Sequence, residues 1–267
     1  MKLLYACIAL SILSQSIKAD EISVFIVTGQ SNARSQYANG ISSALRSSGI
    51  WEEVVVYNSQ RSGNWLGSWV SGTNENYALG SNFIEDLWAS DGSSELQQLI
   101  ESYESAGHTV TIEGLFWFQG EGDTGGAQAR SEYDNKLVWM IQKLQSYYGE
   151  FDTIITIIDW NHDMPGALAA IGRTPENVNE IREKLQSAAD LLNAGSLDSK
   201  DYPRLDVWHI GNFDDSRGQY GVAADLGADE ASLFIKRYRC PADLNNDGAV
   251  NFFDISLFIQ LMNKECP

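Results

Sequence analysis

Ser31 stands in Gly29-Gln30-Ser31-Asn32-Ala33, directly after the apolar run Ile22–Thr28, and Gln119-Gly120-Glu121-Gly122-Asp123 directly follows a second such run, Val110–Phe118. A serine on a tight turn is a nucleophile if a base removes its proton and if N–H donors meet the oxyanion that forms on an attacked ester carbonyl. It is equally a common helix N-cap. The base is a question of three residues, since the chain holds only His108, His162 and His209. His209 closes Asp206-Val207-Trp208-His209, which places a carboxylate three residues before an imidazole. In extended backbone that spacing points the two side chains to opposite faces, so Asp214, Asp215 and Asp225 stay open as the orienting acid. His162, in Trp160-Asn161-His162-Asp163, is the second choice of base; His108 precedes a strand at the far edge and is set aside.

These residues need a frame that gathers them. Near-continuous apolar runs rich in β-branched and aromatic residues occur at 22–28, 54–57, 110–118, 153–158 and 205–210, the pattern of strands buried on both faces. Helical patterns lie between them, at 81–90, 94–105, 127–148, 175–192 and 230–238. Strands alternating with helices predict a three-layer α/β domain over residues 20–239 with a parallel sheet of about five strands. In such a sheet, ligands bind beyond the carboxyl ends of the strands. The turns carrying Ser31 and Gln119, and the end of the run that carries His209, all fall on that edge.

The two motifs resemble the sialate O-acetylesterase-like branch of the SGNH hydrolases, grouped with carbohydrate esterase family 6. The first matches the family's nucleophile block. The second, Trp117-Phe118-Gln119-Gly120-Glu121-Gly122-Asp123, matches its Trp-x-Gln-Gly-Glu-x-Asp block. The resemblance implies a flavodoxin-like fold and a secreted carbohydrate O-acetylesterase acting through an acyl-enzyme on Ser31, with no cofactor for catalysis. It further implies oxyanion donors from the Ser31 amide, a second-block glycine best matched by Gly80, and the Gln119 side chain. Gln30 belongs to the same substrate-facing motif, and Asn32 and Glu121 would organise the turn. The family ends with Asp-x-x-His just before its last helix, a place that Asp225–Glu230 takes on the predicted boundaries without any histidine. His209 with Asp206 is the substitute. The alternative is a degenerate member that binds glycan, or a surface-displayed protein, without hydrolysis.

A formal charge of −18 argues against nucleic acid and anionic membrane as partners. Met1–Ala19 reads as a secretory signal, with Lys2 before a short apolar core too brief for a membrane span. Its removal leaves Cys240 and Cys266, an expected disulfide in an exported chain. Between them, residues 240–267 form a distinct tail. Asp243, Asn245, Asp247, Ala249, Asn251 and Asp254 fall at positions 1, 3, 5, 7, 9 and 12 of an EF-hand-type loop, with Gly248 at the sharp turn. The segment resembles a single dockerin repeat, implying calcium there and a cohesin-like or cell-surface partner.

Overall fold

The computed structural model describes residues 20–239. The expected secretory signal at Met1–Ala19, the expected calcium loop from Asp243 to Asp254 and the expected Cys240–Cys266 disulfide lie outside the described residues. Five parallel strands form the sheet. They are β1 (Glu21–Gly29), β2 (Glu53–Asn58), β5 (Thr109–Phe118), β6 (Asp152–Ile157) and β7 (Gly195–Asp198), in the order β2-β1-β5-β6-β7. A separate two-residue pair, β3 (Val70–Ser71) with β4 (Ala78–Leu79), is antiparallel. The chain leaves β1 toward β2 on one side and later returns to β5 on the other, so the strand order reverses between β1 and β5. That is the topological switch point where a crevice opens at the carboxyl ends. Gly29 pairs with Phe118, so the two strands end level and release the Ser31 and Gln119 turns side by side.

The burial of β1 is complete from Ile22 to Gly29, as a central strand covered on both faces requires. One face is covered by α1 (Ser35–Ser47) and α7 (Gly221–Arg239). These helices approach closely because Gly227 has no side chain; a Cβ there would meet the Tyr37 carbonyl oxygen at 2.2 Å. Helices α4 (Tyr133–Tyr148) and α6 (Pro175–Leu192) pack together in a second layer, the latter starting at a Thr174 capping box with Pro175 in its first turn. The remaining helices are α2 (Glu95–Ser105), capped by the Ser94 side chain, and the short α3 (Ala127–Ser131) and α5 (Pro165–Ala170). Among the described residues no helix is long and apolar enough to cross a membrane.

Four boundaries differ from the sequence-based expectation. The fifth strand is Gly195–Asp198, a short and half-buried edge strand whose Gly-Ser-Leu-Asp carries no apolar run. Residues 205–210 form a loop instead, closed by a Leu205 N–H to His209 carbonyl bond of 2.8 Å and an Arg204–Ile210 bridge. The helix expected at 127–148 breaks at Glu132 into α3 and α4. The segment 81–90 holds only a π-helical turn at Phe83–Leu87. The last helix begins at Gly221, nine residues before the predicted start, because Gly221 and Gly227 weaken the helix signal of its first two turns.

Candidate active site

Ser31 lies in the first turn beyond β1, where the chain reverses into α1. The reversal needs Gly29: its φ is +138°, and a Cβ there would lie 2.1 Å from the Phe118 carbonyl oxygen. The Gln30 N–H donates to that same carbonyl at 3.0 Å, which fixes the start of the turn against β5. His209 arrives from the far side of the crevice. Its Nε2 is 2.9 Å from Ser31 Oγ, and its Nδ1 is 2.7 Å from Asp206 Oδ2. Both ring nitrogens are therefore engaged, one by the hydroxyl and the other by a carboxylate.

The three-residue spacing works because the segment is not extended. Asp206 Oδ1 accepts the N–H groups of Trp208 at 2.9 Å and His209 at 2.8 Å, an Asx-type turn that folds the chain back on its own carboxylate. Burial by itself would raise the Asp206 carboxyl. The His209 ring and the two amides outweigh it and hold the group below the usual carboxylate value. It stays ionised, as a partner for a protonated imidazole must. The other acids considered for this role point elsewhere: Asp215 and Asp225 both pair with Arg217, and Asp214 caps no histidine among the described residues.

Asn32 joins the nucleophile turn to the histidine loop. Its Oδ1 accepts the Ile210 N–H at 3.1 Å, while its Nδ2 donates to the Trp208 carbonyl at 3.1 Å, so the amide grips the backbone on both sides of His209. The same Nδ2 donates to Glu121 Oε1 at 2.7 Å. Glu121 is buried, its Oε2 has no partner, and burial raises its carboxyl pKa. Arg204, which the sequence did not single out, adds a second brace. From a partly buried position it donates to the Trp208 carbonyl at 2.8 Å and to Ser199 Oγ at 2.9 Å.

Two expected oxyanion donors are corrected. The Gly80 N–H is spent on the Trp69 carbonyl at 2.7 Å, closing the small β3–β4 pair. The Gln119 side chain is wholly buried: its Nε2 donates to Asp123 Oδ2 at 2.6 Å and to Gln30 Oε1 at 3.0 Å, and its Oε1 accepts the Tyr133 hydroxyl at 2.7 Å. An amide has two N–H donors, so none remains for a substrate. Gln119 instead fixes Gln30, whose Oε1 also accepts the Gly122 N–H at 3.1 Å. Among the described residues the Ser31 N–H and the Gln30 Nε2 donate to no protein acceptor. Beyond β2, the Arg61 N–H donates to the Gly29 carbonyl at 2.9 Å and so ties the turn that holds Gly63, at φ +74°, to the end of β1. The signal for that turn was available, as the only glycine within a few residues of the strand's carboxyl end.

The remaining histidines stay apart from the serine. His162 sits with Nε2 3.2 Å from Asp159 Oδ2 and its ring against Trp160, and His108 lies at Tyr103. Among the described residues no cluster of His, Cys, Asp and Glu is arranged to hold a metal ion.

A family model for carbohydrate esterases, the sialic acid-specific acetylesterases, matches residues 76–218, more than half of the chain. The chain belongs to this family. The match takes in the Gln119–Asp123 turn and the Asp206–His209 loop, while Ser31 lies before it. The last helix starts at Gly221, so the Asp206–His209 pair lies ahead of it and Asp225 falls inside it. The family fold recurs in solved structures. A protein from Arabidopsis thaliana aligns with a TM-score of 0.54 at 14% identity, over 81% of this chain and 98% of its own. A lipase/acylhydrolase from Enterococcus faecalis aligns with a TM-score of 0.50 at 15% identity, over 82% of this chain and 96% of its own. No curated protein matches the sequence.

Proposed function

We propose that this family member is a secreted carbohydrate O-acetylesterase in which Ser31, His209 and Asp206 form the catalytic triad. The observation that carries the reading is the continuous chain from Ser31 Oγ through the His209 ring to Asp206, at 2.9 and 2.7 Å. Ser31 Oγ attacks the acetyl carbonyl carbon and its proton passes to His209 Nε2. The negative charge moves to the carbonyl oxygen, which the Ser31 N–H meets together with a donor from the Gly63 turn or Gln30 Nε2. Collapse breaks the bond to the sugar oxygen, which takes the proton from His209. Water, deprotonated by the same nitrogen, then releases acetate and restores Ser31. Asp206 stabilises the transient imidazolium and holds the ring.

Half-exposure of Asp206 and partial exposure of His209 suit a site open to a bulky sugar. The leader at Met1–Ala19 and the acidic balance support export, and the Asp243–Asp254 loop supports a calcium-bound tail. The test is acetate release from acetylated oligosaccharides and from p-nitrophenyl acetate. Ser31→Ala and His209→Ala should each lose a factor of at least about 10³ in kcat. Hydrolysis that persists in Ser31→Ala overturns the reading.

A further inference from the structure

Resting on the esterase reading, the structure assigns a binding subsite for an uncharged pyranose ring to the cleft walled by Trp65. Three tryptophans flank the crevice region in sequence, but Trp69 is fully buried and Trp160 nearly so, whereas Trp65 is 53% exposed. An exposed indole of this size is normally costly to hold in one orientation. Here it is fixed from both sides along the backbone. The Asn64 N–H donates to the Arg61 carbonyl at 3.3 Å, and the Leu66 N–H donates to the buried Asp123 carboxylate at 2.8 Å. The ring itself lies on Gly67: a Cβ built there would meet three consecutive atoms of the six-membered ring at the same 3.0 Å. One face of the indole is thereby seated on the backbone, and the side chain is left as a wall of the cleft.

The cleft, of roughly 470 Å³, runs from Trp65 past Ser71 and Thr73 to the start of α3 at Gly126–Ala129. Its other walls are mostly small residues, with the polar side chains of Ser71, Thr73 and Gln128 among them. The Trp65 backbone borders the nucleophile turn, because a Cβ on Gly122 would touch Trp65 Cα at 3.4 Å and Gln30 Oε1 at 3.3 Å together. A sugar whose acetyl group reaches Ser31 would thus have its neighbouring ring over the indole. The chemistry of the walls selects the sugar. Lys136 is the one ionisable group lining the cleft, and it is only 7% exposed and paired with Glu132 at 3.5 Å. No charge is left to meet a sugar carboxylate, and the chain's −18 repels polyanions at long range. An aromatic wall with hydroxyls and an amide at its rim fits the apolar face and hydroxyl edge of a neutral pyranose.

The probe is a neutral acetylated xylo-oligosaccharide, titrated calorimetrically into the full-length Ser31→Ala protein so that binding is read without turnover. Adding Trp65→Ala should weaken binding about tenfold or more, while Trp65→Phe recovers most of it; circular dichroism confirms the fold of each. In the active enzyme, Trp65→Ala should lower kcat/KM for the oligosaccharide relative to that for p-nitrophenyl acetate by a similar factor. Equal binding with and without Trp65 overturns the subsite, as does tighter binding of an O-acetylated sialic acid than of the neutral sugar. If the wild type hydrolyses neither substrate but loses binding on Trp65→Ala, the esterase reading falls and the subsite stands.

Discussion

Replacing Asn32 by alanine separates the clamp on the histidine loop from the triad itself. The side chain makes three hydrogen bonds, to Ile210 N–H, Trp208 carbonyl and Glu121 Oε1, at 3.1, 3.1 and 2.7 Å. The first two are neutral and each contributes about 1 kcal/mol net, and the bond to a carboxyl group contributes about 1.5–3 kcal/mol. Removal also takes the one side-chain donor from the buried Glu121 carboxyl, whose Oε2 already has no partner. A loss of about 3–5 kcal/mol follows, a fall of roughly 10 °C in Tm for a domain of this size. The consequence for catalysis is separate. With the Ile210 N–H released and the Trp208 carbonyl left to Arg204 alone, His209 can drift from Ser31, and a displacement of about 1 Å costs on the order of 10² in rate. The fall should appear in kcat rather than KM for p-nitrophenyl acetate, measured well below the new Tm. A variant that loses stability yet keeps kcat within threefold would refute the clamp as a positioning device. So would a full kcat loss with His209 still 2.9 Å from Ser31 in its structure.

Asp206→Asn should lower kcat by about 10²–10⁴ with little change in Tm, because it removes the charge that supports the imidazolium from a half-exposed site; steady-state kinetics with a melting curve read both. Glu230, buried in α7 and bonded to Tyr37 and Thr156, has its carboxyl pushed by burial up to about 8. The native state then keeps a proton that the unfolded chain releases above the ordinary glutamate value. The contribution of Glu230 to stability is full below pH ~4.5 and is lost, by a few kcal/mol, as pH rises to about 8, so Glu230→Gln should flatten the decline seen in urea unfolding between pH 5 and 8.5. Gly29→Ala should leave little folded protein on expression, since a left-handed-region φ and a 2.1 Å clash with the Phe118 carbonyl coincide there. Soluble, wild-type-like Gly29→Ala would contradict the account of the turn.

The sheet and the nucleophile turn were legible because their determinants are local. The β1 and β5 segments are largely apolar toward their carboxyl ends, and each runs directly into a glycine-bearing polar turn. The histidine loop was half legible. Asp206-Val207-Trp208-His209 was visible as a motif, but an apolar stretch of six residues reads as a strand whether or not it has a sheet edge to join. Gly195–Asp198 takes that edge. The misplaced start of the last helix had a larger effect, because it set the register against which a histidine was sought and made the motif seem missing. Gly227 causes that weakness of signal and is required by the contact with Tyr37. The oxyanion donors were the least legible part. Whether the Gly80 N–H or the Gln119 amide faces a substrate depends on which acceptors fold around it, and Trp69, Gln30 and Asp123 converge only in three dimensions. Asn32 and Glu121, 89 residues apart, meet in the same way.

The central claim is that Ser31 is a nucleophile activated by His209, and covalent trapping tests it most directly. The protein is incubated with a p-nitrophenyl alkylphosphonate, the released p-nitrophenol is counted, and the modified peptide is located by mass spectrometry. The account predicts one equivalent released per protein, the phosphonyl group on Ser31, and labelling at least about 10²-fold slower in His209→Ala. Labelling at another residue, or labelling of Ser31 at the same rate without His209, would contradict it.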